Sequence, residues 1–172
     1  MVGMAEVHVT RDPTDVLMAL GLGSCIGVCL YDAERKIAGM VHVVLPDSGA
    51  MGDTTHPGKY ADTGVPALIA EMRRAGAKAA NLAAAIAGGA QLFSFAGSGP
   101  RLDIGGRNAE AVLAALRREG LAPVARDVGG TCGRTVQFYA ADGRINVKSI
   151  GRGQAELAVL GAPSRALELQ AA

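Results

Sequence analysis

The chain has no tryptophan, few other aromatic residues and almost balanced charge, and these shortages exclude several classes of protein. Three Phe and three Tyr are its only aromatic residues among 172, which argues against a surface that stacks nucleic-acid bases. Lys and Arg number 17 and Asp and Glu 16, so the formal net charge is +1. Because phosphate neutralisation dominates nucleic-acid binding, we expect no nucleic-acid partner.

Long apolar runs and a regular cysteine framework are also missing. No stretch approaches the ~20 consecutive apolar residues of a membrane span, and the first ten residues show no basic segment followed by an apolar run. We therefore expect neither membrane insertion nor a signal peptide. Cys25, Cys29 and Cys132 make an odd number at irregular spacing. This usage indicates reduced thiols and a cytoplasmic protein.

What the chain does contain is enough apolar sequence for one packed domain, since 49% of its residues are apolar. We predict one domain over residues 1–159 and a loosely attached tail over 160–172. Hairpin strands in mixed or antiparallel sheets, with two outer helices at 62–75 and 109–119, predict an α+β fold. Asn108 is the expected N-cap of the second helix. The seven predicted strands are 5–10, 15–20, 26–31, 36–45, 80–87, 134–139 and 145–150.

The third and fourth predicted strands form a hairpin that brings a thiol and an imidazole together. The loop 32–35 closes it if Tyr31 pairs with Lys36. Cys25 then lies directly opposite His42, with Cβ atoms ~4.5–5.5 Å apart. A cysteine beside a histidine suits nucleophilic catalysis, because the imidazole accepts the thiol proton and the thiolate attacks a carbonyl carbon.

The residues before this cysteine supply a second element, in the run LGLGSC. Gly21 and Gly23 can adopt backbone conformations closed to other residues. They can therefore turn the backbone N–H groups around Gly23, Ser24 and Cys25 toward one point, as in an oxyanion hole.

Two other interpretations of the cysteines stay open. Cys25 can be a small buried apolar residue at the start of a strand, and Cys29 suits a place in the core. Alternatively, Cys25, Cys29, His42 and Cys132 could hold a metal ion. Zinc sites usually show closer cysteine pairs on loops, so we expect no metal.

Several segments, in their order and spacing, resemble the CheD family, the chemoreceptor glutamine deamidases of bacterial chemotaxis. The likeness covers about residues 5–155. The segments are LGLGSC (20–25), GMVHVVLPDSG (39–49), HPGKYAD (56–62), AIAGGAQLF (85–93), IGGRNAEAV (104–112) and the stretch 129–138, which includes RTVQF.

The resemblance implies an enzyme that hydrolyses side-chain amides of particular glutamines on chemoreceptors to glutamates, through a thioester and without a cofactor. It assigns Cys25 as the nucleophile and His42 as the general base. It also implies a layered α+β core, related to toxin deamidase domains. The implied partners are the cytoplasmic domains of chemoreceptors and a CheC-like phosphatase of the response regulator CheY.

One position departs from the family pattern. The family commonly has a Thr six residues before the catalytic cysteine, whereas this chain has Ala19, whose methyl group cannot hydrogen-bond an imidazole. An alternative function is therefore a catalytically weak binding module that docks on chemoreceptors or a CheC-like phosphatase. A hydrolase of free small amides is a further alternative.

Overall fold

Three layers make up the fold: two helices, a five-stranded sheet and a four-stranded sheet. The computed structural model describes residues 1–49, 55–92 and 103–162. Apolar side chains fill both spaces between layers. The predicted α+β class, with packed sheets and outer helices, is confirmed. Within the described residues, no helix is long and apolar enough to cross a membrane.

The described residues contain nine strands, two more than predicted. The elements are β1 Val7–Thr10, β2 Val16–Leu22, β3 Ile26–Asp32, β4 Ile37–Val43, α1 Ala61–Arg74, β5 Leu82–Gly88, α2 Ile104–Arg118, β6 Pro123–Val128, β7 Arg134–Tyr139, β8 Arg144–Ser149 and β9 Gly153–Val159. The missed strands β6 and β9 lie at sheet edges, where partial exposure leaves no apolar run in the sequence.

The strand order is β1-β4-β3-β5-β6 in the larger sheet and β2-β7-β8-β9 in the smaller. Neighbouring strands are antiparallel except β5 and β6, which are parallel. β3 is central and buried on both faces, which explains its unbroken apolar sequence. One face packs on the helices. The other meets the inter-sheet cluster, whose members include Leu22, Cys29, Met40, Ala87 and Phe138.

The hairpin of β3 and β4 differs in register from the prediction. Asp32 pairs with Ile37, and Gly27, rather than Cys25, pairs with His42. Cys25 lies just before β3 and packs against the inter-sheet cluster. Because the register differs by two residues, the histidine and the cysteine still lie on the same sheet face.

The helix α2 begins at Ile104, five residues before the predicted start. Asp103 caps it, since its carboxylate accepts a hydrogen bond of 2.8 Å from the Gly106 N–H. Asn108, the predicted N-cap, instead lies inside the helix and is fully buried. The helix α1 spans Ala61–Arg74, one residue earlier than predicted.

At the C-terminal end, Leu160 is buried in the inter-sheet cluster, and its N–H donates to the Gly143 carbonyl at 2.9 Å. The packed domain therefore reaches at least this first residue of the predicted tail. Residues 163–172 of that tail, and residues 50–54 of the loop after β4, lie outside the described residues.

Candidate active site

The loop that carries Cys25, residues 23–25, is held in place by its carbonyl groups. Their oxygens accept hydrogen bonds, in chain order, from the Ala90 N–H at 2.7 Å, the Asn108 side-chain amide at 2.8 Å and the Gly89 N–H at 2.8 Å. The N–H groups of residues 23–25 donate no hydrogen bond to any other described residue. The carbonyl groups of this loop therefore bond to the rest of the domain, whereas its N–H groups have no acceptor among the described residues.

Glycine is required where β5 meets this loop. Gly88 has φ +125°, and a Cβ on it would lie 2.1 Å from the Cys25 carbonyl oxygen. Only a residue without a side chain allows the end of β5 to approach the loop so closely.

The two glycines predicted to shape the loop have different roles. Gly21 has φ +63° and lies inside β2, where it allows the register shift between Ala19 and Leu22. Gly23 does not have a left-handed backbone. Its lack of a side chain instead makes room for Leu92, whose Cδ1 would be 2.6 Å from a Cβ at this position.

His42 is buried, with 4% of its surface exposed. Its Nδ1 lies 3.3 Å from the Val2 carbonyl oxygen. Because a carbonyl can only accept, this contact requires the proton on Nδ1. In the neutral ring Nε2 is then an acceptor, and it has no hydrogen-bond partner among the described residues. A buried proton acceptor is therefore left unpaired by the part of the chain that the structure describes.

Cys25, just before β3, and His42, near the end of β4, lie on the same sheet face at the same end of the hairpin. No hydrogen bond links them. Cys25 precedes Gly27, the partner of His42, by two residues, so the two side chains are diagonal neighbours. An aromatic side chain such as that of His42 is large enough to reach a diagonal neighbour on the sheet. Contact between Sγ and Nε2 needs a side-chain movement or a bridging water.

Burial affects the titration of both groups. Burial raises the pKa of the Cys25 thiol, and the N–H of the same residue works in the opposite direction. Burial also lowers the pKa of His42, although the Val2 carbonyl and the charge of Glu6 oppose this effect. Both shifts favour a neutral thiol beside a neutral imidazole at neutral pH.

The remaining predicted residues lie in the core or outside this pair. Ala19 is fully buried on β2 and packs in the inter-sheet cluster. Cys29 is a buried member of the same cluster, and burial strongly raises the pKa of its thiol. Cys132 is half-buried. Within the part of the chain that the structure describes, no group of three or more His, Cys, Asp or Glu side chains could hold a metal ion.

The sequence interpretation missed the role of Asn108. Its Nδ2 donates to the Ser24 carbonyl and to the Val44 carbonyl, both at 2.8 Å. Asn108 thereby links Ser24, the residue before Cys25, to Val44, which directly follows β4 and lies two residues after His42. A signal was available: Asn108 occupies the apolar face of α2, four residues before Val112. A polar residue at a core position of a helix indicates a specific hydrogen bond.

Fold and site define an α+β protein of two packed sheets with a cysteine and a histidine at one end of adjoining strands. The family model described as CheD chemotactic sensory transduction matches residues 44–149 of the chain. The chain belongs to the CheD family. The matched range begins two residues after His42, so the family-model match itself does not include either member of the pair.

Relatives match over a longer part of the chain. A protein of Symbiobacterium thermophilum named probable chemoreceptor glutamine deamidase CheD is 52% identical over 157 residues, which cover 91% of this chain and 95% of that protein. A protein of Desulfitobacterium hafniense with the same name is 46% identical over 153 residues, covering 89% and 94%. A third, from Caldanaerobacter subterraneus, is 46% identical over 152 residues, covering 88% and 93%.

Proposed function

We propose that this protein is a chemoreceptor glutamine deamidase, with Cys25 as nucleophile and His42 as general base. The observation that carries the proposal is a set of polar groups near one end of the larger sheet. Among the described residues, neither His42 Nε2 nor the N–H groups of residues 23–25 have a hydrogen-bond partner in another residue. His42 is the diagonal neighbour of Cys25, and these N–H groups belong to the loop that carries Cys25. These are the acceptor and the donors that amide hydrolysis through a cysteine needs.

The reaction begins when His42 Nε2 takes the proton from Cys25 Sγ. The thiolate attacks the carboxamide carbon of a receptor glutamine, and the N–H groups around Gly23, Ser24 and Cys25 donate to the oxyanion. The imidazolium then gives its proton to the amide nitrogen, the C–N bond of the tetrahedral intermediate breaks, and ammonia leaves while the thioester forms. His42 next takes a proton from water, whose oxygen attacks the thioester carbon. The C–S bond then breaks and releases glutamate, and the imidazolium returns its proton to the Cys25 sulfur. No metal or organic cofactor enters these steps.

Each turnover replaces a neutral side chain with a carboxylate on the cytoplasmic domain of the receptor. Like charges on neighbouring helices repel, so the product changes the relative stability of the receptor's signalling states. This substrate places the proposed activity in the cytoplasm.

The test measures the mass of a receptor cytoplasmic fragment after incubation with the protein, since each deamidation adds ~1 Da per site. Cys25→Ala and His42→Gln should abolish the gain, whereas Cys132→Ser, which alters a thiol outside the pair, should retain it. A full mass gain with Cys25→Ala would refute the assignment of the nucleophile.

A second candidate function is a binding module that docks on chemoreceptors or a CheC-like phosphatase with little turnover. The observations that favour it are the methyl group at Ala19 and the missing hydrogen bond between Sγ and Nε2. Such a module keeps its effect on the receptor after Cys25→Ala. Its thiol also reacts with iodoacetamide at a rate that does not depend on His42, whereas in the enzyme that rate falls in His42→Gln.

A further inference from the structure

Residues 1–6, here called the N-terminal strap, bind every polar group of His42 except Nε2. The His42 backbone N–H donates to the Glu6 carbonyl at 3.1 Å, and its carbonyl accepts from the Ala5 N–H at 3.0 Å. The ring Nδ1 lies 3.3 Å from the Val2 carbonyl oxygen. Val2, Ala5 and Glu6, which precede β1, therefore contact both the backbone and the ring of this histidine.

The strap is itself fixed to both sheets through Val2. The Val2 side chain is 1% exposed and packs in the inter-sheet cluster. Its N–H donates to the Met18 carbonyl on β2 at 2.8 Å. The peptide groups on either side of this residue thus connect β2 of the smaller sheet with His42 on β4 of the larger sheet.

A tight backbone turn holds the rest of the strap. Ala5 has φ +65°, a left-handed conformation that costs energy for a residue with a side chain. A Cβ on Gly58 would lie 2.4 Å from the Ala5 carbonyl oxygen, so the chain after β4 closes against the turn. The Glu6 carboxylate accepts from the Gly3 N–H at 2.7 Å and ties the two ends of the turn together.

We propose that Val2, within the strap, is a positioning residue of the active site, because its backbone carbonyl holds the proton of the His42 ring on Nδ1. This inference rests on the proposed function. In a neutral imidazole, a carbonyl acceptor beside one ring nitrogen keeps the proton on that nitrogen and leaves the other nitrogen as an acceptor. Ala19, next to Met18 on β2, has no side-chain acceptor for this purpose, so the backbone of the strap supplies one.

The proposal predicts which changes in the strap matter. A charge at Val2 removes the apolar anchor and detaches the carbonyl, whereas a charge at Met4, which is 70% exposed in the same segment, leaves the anchor in place. Val2→Asp should lower kcat ~10-fold or more with little change in KM, because the ring loses its tautomer but the substrate surface remains. Met4→Asp should behave as the unaltered protein does.

Nitrogen-15 NMR of the full chain with labelled histidine tests the tautomer without any substrate. The His42 signals are identified by their loss in His42→Gln. The unaltered protein and Met4→Asp should show a protonated Nδ1 and an unprotonated Nε2, and Val2→Asp should shift the proton toward Nε2. An Nε2-protonated ring in the unaltered protein would overturn the proposal, even if the protein is an active deamidase.

If Val2→Asp does not fold, Val2→Ala tests the anchor instead, because it removes less of the buried side chain. Val2→Ile keeps an apolar anchor and should show the kcat and the His42 tautomer of the unaltered protein. Unchanged kcat and an unchanged tautomer in a folded Val2→Ala and Val2→Asp would contradict the role of the strap. If the unaltered protein has no activity toward receptors, the proposed function fails, while the NMR result still decides the tautomer.

Discussion

Asn108 shows how one buried side chain can hold two parts of a site. Its amide nitrogen has two protons and uses both, on the carbonyl oxygens of Ser24 and Val44. These carbonyls belong to the loop of Cys25 and to the chain just after β4, which carries His42. The geometry of the pair therefore depends on a donor from a different layer of the fold.

Asn108→Ala should destabilise the protein and slow the reaction. It leaves two carbonyls without a partner, which costs about 2–4 kcal/mol in the free energy of unfolding. Displacement of the Cys25 loop should lower kcat ~10-fold or more. Urea unfolding and receptor deamidation measure the two effects. The matched control is Gln154→Ala, which removes an exposed side-chain amide on β9 and should cost under ~0.5 kcal/mol. Equal losses in both variants would contradict this role.

The pH dependence of the reaction follows from the burial of His42. Burial lowers the pKa of this imidazole below its ordinary 6.5, although the Val2 carbonyl and Glu6 oppose the shift. As the proposed general base, His42 acts only when neutral, so kcat/KM should stay high as pH falls through 6.5 and decline only at lower pH. An acidic limb of kcat/KM at or above 6.5 would contradict this prediction.

At the scale of single elements, the hairpin of β3 and β4 could be predicted from its two apolar runs, but its register could not. The four-residue loop begins one residue later than predicted, because Asp32 stays in the strand. The buried Asp32 carboxylate accepts from the Arg35 N–H at 3.1 Å and from the Lys78 N–H at 2.9 Å. Lys36 also takes φ +51°. The Lys78 contact comes from a residue distant in sequence, so a local pattern could not reveal it.

The start of α2 was hidden by its glycines. Gly105 and Gly106 suggest a loop, because glycine disfavours helices. A Cβ on Gly105 would, however, lie 2.3 Å from the Gly89 carbonyl oxygen. Glycine occurs in the first turn of α2, despite its low helix propensity, because this turn packs closely against the chain after β5. Tertiary contact, not local preference, therefore decides where the helix begins.

The end of β5 approaches the Cys25 loop so closely that a methyl group there should disturb it. Gly88→Ala places a methyl group against the Cys25 carbonyl and should displace Cys25, the proposed nucleophile. Activity should fall ~100-fold, since a shift of ~1 Å is enough for that loss. Gly151→Ala is the matched control, because Gly151 has φ +78° but nothing within 4 Å of a Cβ. Both variants carry backbone strain, so similar activities would show that the contact with Cys25 is unimportant.

At the scale of the whole molecule, the candidate site lies where all three layers meet. The larger sheet carries Cys25 and His42, the smaller sheet holds Val2 through Met18, and the helix layer supplies Asn108. The sequence could predict that the sheets and helices exist. It could not predict this meeting point, which depends on strand order and on the two edge strands that have no apolar run.

One ion pair also joins the two sheets beside the site. Arg134 of β7 is buried, and its guanidinium donates to the Asp127 carboxylate of β6 at 2.9 Å. The same group donates to the Gly88 carbonyl at 3.4 Å and to the Cys132 carbonyl at 3.2 Å. Since Gly88 contacts the Cys25 loop, these hydrogen bonds connect the packing of the two sheets with the position of Cys25, the proposed nucleophile.

Arg134→Met should therefore reduce stability and activity together. Methionine fills similar space but donates nothing, and loss of the charged hydrogen bonds should cost about 2–3 kcal/mol in the free energy of unfolding. Deamidation by the folded variant should also slow, because the Gly88 carbonyl loses a donor. Arg74→Met is the matched control, since Arg74 forms an exposed ion pair with Glu71 that should contribute under ~1 kcal/mol. A stable Arg134→Met variant with full activity would mean that the sheets hold the site without this bridge.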